Sequence, residues 1–126
     1  MTRQLRPLCD KIGYERVEAV IHDFYERLRA DPELGAYFDS IPDKPAHEEK
    51  IIGYWWLAMG GRLSEPPFVD MIGAHGRLGI THSLLDRWLV LFSEVLDKHL
   101  EPGLAGQWRQ MAGAVGEKLR ANVVRG

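Results

Sequence analysis

Apolar positions recur at helical spacing along most of the chain, and no stretch alternates apolar and polar residues with the period of a strand. Val17, Val20, Ile21, Phe24 and Leu28 fall on one face of a helix predicted over 14–30, with Glu15, Glu18, Glu26, Arg27 and Arg29 elsewhere. Asp31-Pro32 ends it, because the residue before a proline is pushed out of the helical region. A turn-like piece, PELGAYF, and a stiff loop through Ile41-Pro42-Asp43-Lys44-Pro45 follow. A second helix is predicted over 46–59, with Ile51, Tyr54, Trp55 and Ala58 on its apolar side, and it stops at Gly60-Gly61. Thr81 reads as the N-cap of a long helix that carries Leu85, Trp88, Leu89, Phe92, Val95 and Leu96 on one face. After the break at Glu101-Pro102-Gly103, a last helix carries Leu104, Trp108, Met111, Val115 and Leu119 at spacings of three and four.

Four substantial helices with short connections predict an all-α chain with antiparallel neighbours. A plain bundle is the default. Against it stands the glycine-rich stretch 60–80, which has room only for a short helix over 67–75 where a bundle would put a full one. The length of 126 residues is that of one domain, spanning 1–126, and 45% hydrophobic residues can supply its core. A formal net charge of -2 argues against a nucleic-acid partner, since such proteins carry a basic excess. The N-terminus lacks the apolar core of a secretory signal, and no stretch approaches the roughly 18 apolar residues of a membrane span. A soluble, cytoplasmic protein with no membrane partner is the expectation. Cys9 stands alone, which excludes an internal disulfide and a thiolate-rich metal site.

Five histidines, His22, His47, His75, His82 and His99, are the obvious metal ligands, although most histidines on helices are exposed or merely hydrogen-bonded. A di-iron bundle needs repeated Glu-x-x-His pairs facing inward, and none is present. His22 and Glu26 are one turn apart, but no second helix offers a matching pair. His-Glu-x-x-His, Gly-x-Ser-x-Gly and phosphate-cradling glycine loops are also missing, so zinc, nucleophilic and phosphoryl chemistry have no support. A haem site asks for less: one axial nitrogen and a large apolar slot. Four each of Trp, Tyr and Phe lie mostly on helical faces, and His75 is flanked by Met71, Ile72, Leu78 and Ile80.

At these residues the chain resembles the truncated haemoglobins. Phe24-Tyr25 followed by Asp31-x-x-Leu34-Gly35-x-x-Phe38 resembles the family's opening, and His47-x-x-Lys50-Ile51 with Tyr54-Trp55 resembles its next helix. His75-Gly76-Arg77-Leu78-Gly79-Ile80 is similar to the proximal histidine motif, with Gly79 where the family often has proline. Leu85-Asp86-Arg87-Trp88-Leu89 resembles the helix after it. The motifs keep the family's order over residues 12–100. A tyrosine, a distal histidine and a tryptophan at these positions look most like group III, whereas Gly60-Gly61 is more like group II.

The resemblance implies a globin-like, two-over-two helical sandwich around haem b. It implies His75 as the axial iron ligand, with its second ring nitrogen held by a backbone carbonyl or similar partner. On the opposite face it implies the Tyr25 hydroxyl and the Trp88 indole as donors to a bound ligand, and His47 as a further donor, a gate or a direct ligand. Phe38, Ile51, Tyr54, Met71, Leu78, Ile80 and Phe92 would wall the porphyrin. Lys50, Arg62 and Arg77 would meet its propionates, although such exposed pairs contribute little. The ligands implied are dioxygen, nitric oxide and similar small molecules. Reversible dioxygen binding or nitric oxide and peroxide turnover with a reductase would follow. A haem-based gas or redox sensor acting through a partner protein, and a haem-free helical interaction protein, are the alternatives.

Overall fold

A computed structural model of the protein describes residues 6–39, 41–67 and 79–122. Among the described residues there are five α-helices and no strand: α1 (Leu8–Ile12), α2 (Tyr14–Ala30), α3 (Lys44–Ala58), α4 (His82–His99) and α5 (Pro102–Asn122), with a 3-10 turn at Gly35–Phe38. α2 packs on α3, α4 packs on α5, and α2 crosses α4 to join the two pairs. This is the expected two-over-two sandwich.

α2 keeps its predicted ends, and its five apolar stripe residues are all buried together with Tyr25. α3 starts two residues earlier than expected. The Asp43 side chain caps it by accepting from the Ala46 N–H at 3.0 Å, and Pro45 fits the first turn, where no N–H is needed. At its far end Gly60, with φ +98°, donates to the Leu57 carbonyl, and Gly61 donates to that of Trp56. These two bonds make a Schellman ending, as the glycine pair predicted. Within α3, Ile52, Gly53 and Trp55 are buried, whereas Ala58 is exposed and does not belong to the apolar side. The Thr81 hydroxyl caps α4 by accepting from the Leu84 N–H at 3.1 Å.

Two features were not anticipated. The short helix α1 precedes α2, and it is clasped to the end of α3 by a bond from the Cys9 N–H to the Met59 carbonyl (3.2 Å). Pro7 sits so close to Gly60 that a Cβ there would lie 2.7 Å from the proline ring. The buried face of α5 is also rotated from the expected one. Ala105, Trp108, Ala112, Gly116 and Leu119 face inward, while Leu104, Met111 and Val115 flank the core only partly buried. Small residues take the centre because α4 approaches closely there: a Cβ on Gly116 would lie 3.2 Å from Leu89.

The predicted short helix over 67–75 lies almost wholly outside the described residues. No described helix is long and apolar enough to cross a membrane.

Candidate functional site

α2 projects Tyr25 from its inner face toward the 3-10 turn and the first turn of α3. The tyrosine ring meets Phe38 edge-on at 5.6 Å and His47 edge-on at 5.4 Å, and its own neighbour Phe24 at 5.7 Å. Phe24 in turn meets Trp88 of α4 at 5.4 Å. Three separate segments thus bring Tyr25, Phe38 and His47 into one ring cluster, and Trp88 joins it through Phe24.

Tyr25 is only 8% exposed, and its hydroxyl makes no hydrogen bond to any described residue. Burial pushes its pKa well above the ordinary phenol value, with the Glu48 charge adding to this and Arg29 opposing it. It is therefore a neutral, protonated donor throughout the ordinary pH range. With no acceptor among the described residues, this hydroxyl is a donor that a ligand can engage. The half-buried Trp88 indole N–H makes no hydrogen bond to a described residue either. His47 sits in the first turn of α3, half-buried, with its backbone N–H bonded to the Asp43 carbonyl at 3.0 Å.

The other expected wall residues divide. Ile51 and Tyr54 are partly buried and pack against the core, with Tyr54 edge-on to Trp55 at 5.3 Å. Ile80 is half-buried. Phe92 is 1% exposed and is enclosed by Phe24, Trp55, Trp88 and Trp108, so it belongs to the centre of the core. Lys50 and Arg62 are exposed. Met71, His75, Arg77 and Leu78 lie outside the described residues. Among the described residues no group of three or more His, Cys, Asp or Glu side chains could hold a metal ion. The donor set, a neutral O–H and a neutral N–H without acceptors among the described residues and set among aromatic rings, fits a porphyrin with a small polar ligand.

Two ionic contacts position this cluster, and neither was read from the sequence. The Asp31 carboxylate is buried at the end of α2. It accepts from the Glu33 and Leu34 N–H groups at 2.9 and 3.1 Å and from Arg87 at 2.8 Å. Burial pushes its pKa up, but the Glu33 N–H, Arg87 and Leu34 N–H outweigh that, and the net shift is downward. This one side chain fixes the turn that carries Phe38 against the helix that carries Trp88. Glu48, next to His47, accepts from Arg29 at 3.1 Å and lies 3.2 Å from His22 Nδ1. His22 Nε2 is 3.0 Å from Glu26. A carboxylate at each ring nitrogen favours the imidazolium form of His22, and its pKa is raised chiefly by the Glu48 hydrogen bond. The Asp31-x-x-Leu34 spacing, an Asx-type turn, was the one available signal for the first contact.

Residues 7–112 match the family model described as bacterial-like globin. Three solved structures share the fold. The 2/2 haemoglobin of Synechococcus, solved in the cyanomet state with covalently attached haem, is 22% identical over 94% of this chain and 98% of that one, with a TM-score of 0.81. The group III truncated haemoglobin of Campylobacter jejuni is 18% identical over 99% and 97%, also at 0.81. The group II truncated haemoglobin of Bacillus anthracis is 16% identical over 93% and 92%, again at 0.81. Fold similarity is thus equal to groups II and III. No curated protein matches the chain in sequence closely enough to count as a relative.

Proposed function

Starting from a chain that belongs to the bacterial-like globins, the truncated haemoglobins, we propose that it binds haem b through His75 and holds dioxygen or a related diatomic ligand beside Tyr25, working in the cytoplasm. The observation that carries this reading is Tyr25: a buried side chain set among rings, its phenol kept protonated, with no hydrogen-bond partner among the described residues. Haem, when bound, supplies the iron to which a diatomic molecule attaches.

The chain's own residues do the rest. Tyr25 and Trp88 donate hydrogen bonds to the ligand from one side, with His47 beside Tyr25 as a third polar group. Phe38, Ile51 and Tyr54 exclude water, which strengthens those bonds because nothing competes for them. Phe92 backs this wall from the core. By the family resemblance, Met71, Leu78 and Ile80 would line the haem as well, and Lys50 and Arg77 would meet its propionates. The resemblance to the group III pattern supports this arrangement.

A hydrogen bond to a charged acceptor contributes about 1.5–3 kcal/mol. At about 1.4 kcal/mol per tenfold, two such bonds slow ligand escape a hundredfold or more. Slow escape favours chemistry on the ligand over its delivery, so turnover of nitric oxide or peroxide with a reductase is the activity to assay. The test is an absorption spectrum of the wild type and of His75→Ala, followed by the dioxygen dissociation rate of Tyr25→Phe and Trp88→Phe. A haem band lost or altered in His75→Ala, and faster dissociation in both distal variants, are expected. An unchanged rate in the two distal variants would remove the basis of this reading.

A further inference from the structure

Large rings line the core in two runs of contact, one from Trp88 to Trp55 and one from Trp56 to Tyr14, joined where Trp55 and Trp56 are neighbours along α3. Trp88 meets Phe92 at 5.6 Å, and Phe92 meets Trp55 at 5.8 Å. Trp55 meets Tyr54 at 5.3 Å and Trp108 at 5.9 Å. Trp56, the next residue along α3, is partly buried against the same core and meets Tyr14 edge-on at 5.1 Å. Tyr14 is 38% exposed. The first run starts at Trp88 and Tyr54, two side chains assigned above to the haem pocket, and the second ends on the surface at the start of α2, with a single step between adjacent residues separating them.

Apolar volume alone does not call for indoles here. Trp108 is fully buried, and its Nε1–H has no hydrogen-bond partner among the described residues. An unpaired buried donor is a cost that a plain hydrocarbon ring would avoid. Indole and phenol are also the ring side chains that lose one electron most readily. What separates the members of this series is where a proton can go. An oxidised phenol must release its proton to stay oxidised at neutral pH. The buried Tyr25 side chain has no acceptor for its hydroxyl among the described residues. Trp108 has none either, so a positive hole on it moves on rather than settling. Tyr14 opens onto water, where its phenolic proton can leave and return.

Building on the haem-binding reading, we propose that this series of rings carries oxidising equivalents from the haem pocket through Trp55 and Trp56 to Tyr14, where a small one-electron donor such as a phenol or an enediol is oxidised at the expense of a hydroperoxide. Hydrogen peroxide takes two electrons and two protons and leaves as two waters. Each electron travels inward from Tyr14 by way of Trp56, Trp55 and Trp88, and Tyr14 gives its phenolic proton to water. One donor molecule then returns one electron and one proton to Tyr14 and leaves as its radical, so two donors are consumed per peroxide.

The test uses the ferric holoprotein, its haem content checked first by absorption. It is mixed with hydrogen peroxide and a nitroso spin trap, digested, and mapped by mass spectrometry, with frozen samples taken for electron paramagnetic resonance. The trap adduct is expected on Tyr14. It is expected to vanish in Trp56→Phe and to return in Trp56→Tyr, which restores an oxidisable ring of similar shape. The peroxide-induced change in the haem band is expected to keep its wild-type rate in all of these. Adducts on Tyr25 or Tyr54 with Tyr14 unmodified, or an undiminished Tyr14 adduct in Trp56→Phe, would overturn the relay while leaving haem binding intact. A protein with no haem band overturns the haem reading itself, and the relay with it.

Discussion

Removing Arg87 is the sharpest test of how the candidate site is held. Asp31 keeps only 3% of its side chain exposed, and its two oxygens serve two backbone N–H groups and the Arg87 guanidinium. In Arg87→Met the aliphatic length stays but the charge and both N–H donors at 2.8 Å are lost. Breaking a fully buried pair from one side costs about 3–5 kcal/mol because the remaining charge is stranded. Arg87 itself is 47% exposed, so water reaches part of the gap and the expected loss falls to about 2 kcal/mol. Urea unfolding followed by circular dichroism should show the midpoint lowered and the slope unchanged. The sign of the pH dependence is a second check. The folded pKa of Asp31 lies below its unfolded value. Its stabilisation is therefore present above the unfolded pKa and lost as pH falls through the folded one. With Arg87 gone, the difference from wild type should shrink in acid. A change under about 0.5 kcal/mol at neutral pH, the size of an ordinary surface substitution, would refute the claim that this pair joins the Phe38 turn to α4.

Three further outcomes are expected. Asp23, opposed by burial but bonded to His99, Arg27 and Lys98, has its pKa lowered from 3.8 to about 2; Asp23→Asn should cost about 2 kcal/mol at neutral pH by linkage. An acid titration of stability should show that difference disappearing as pH falls from about 4 toward 2. Gly60→Ala forces a side chain into φ +98° and against Pro7, so a loss of about 2 kcal/mol is expected in the urea midpoint. Glu48→Gln removes the main cause of the raised His22 pKa, and a proton NMR titration should show His22 moving down toward the ordinary histidine value.

The parts legible in the sequence were those set by local rules. The α2 stripe, the Asp31-Pro32 stop, the Thr81 cap and the Gly60-Gly61 ending each depend on residues within a turn of one another. What escaped was set by contact between distant segments. Ala58 looked apolar by spacing, yet nothing covers it enough to bury it. The α5 face rotated because the close approach of α4 favours Ala112 and Gly116 over the larger Met111 and Val115. α1 is only five residues long, too short for periodicity to reveal, and it depends on the clasp to Met59. The grouping of Tyr25, Phe38 and His47 came from family resemblance rather than pattern. The Asp31–Arg87 pair, 56 residues apart, had no sequence signal on the arginine side.

The clasp at the far end of α3 has a mechanical consequence. Met59 and Gly60 are pinned to α1, while the near end is tied by Glu48 to Arg29 and His22 through contacts of 3.1 and 3.2 Å that solvent can reach. The helix is thus a cantilever with its root at Met59 and its tip beside the pocket. His47 stands roughly 18 Å from that root at 1.5 Å per residue. Tilting the rod by about 5° therefore sweeps the imidazole through roughly 1.5 Å, whereas Trp55, one turn from the root, hardly stirs. The lever arm is long at His47, which lies against Tyr25, and short at the ring that anchors the core.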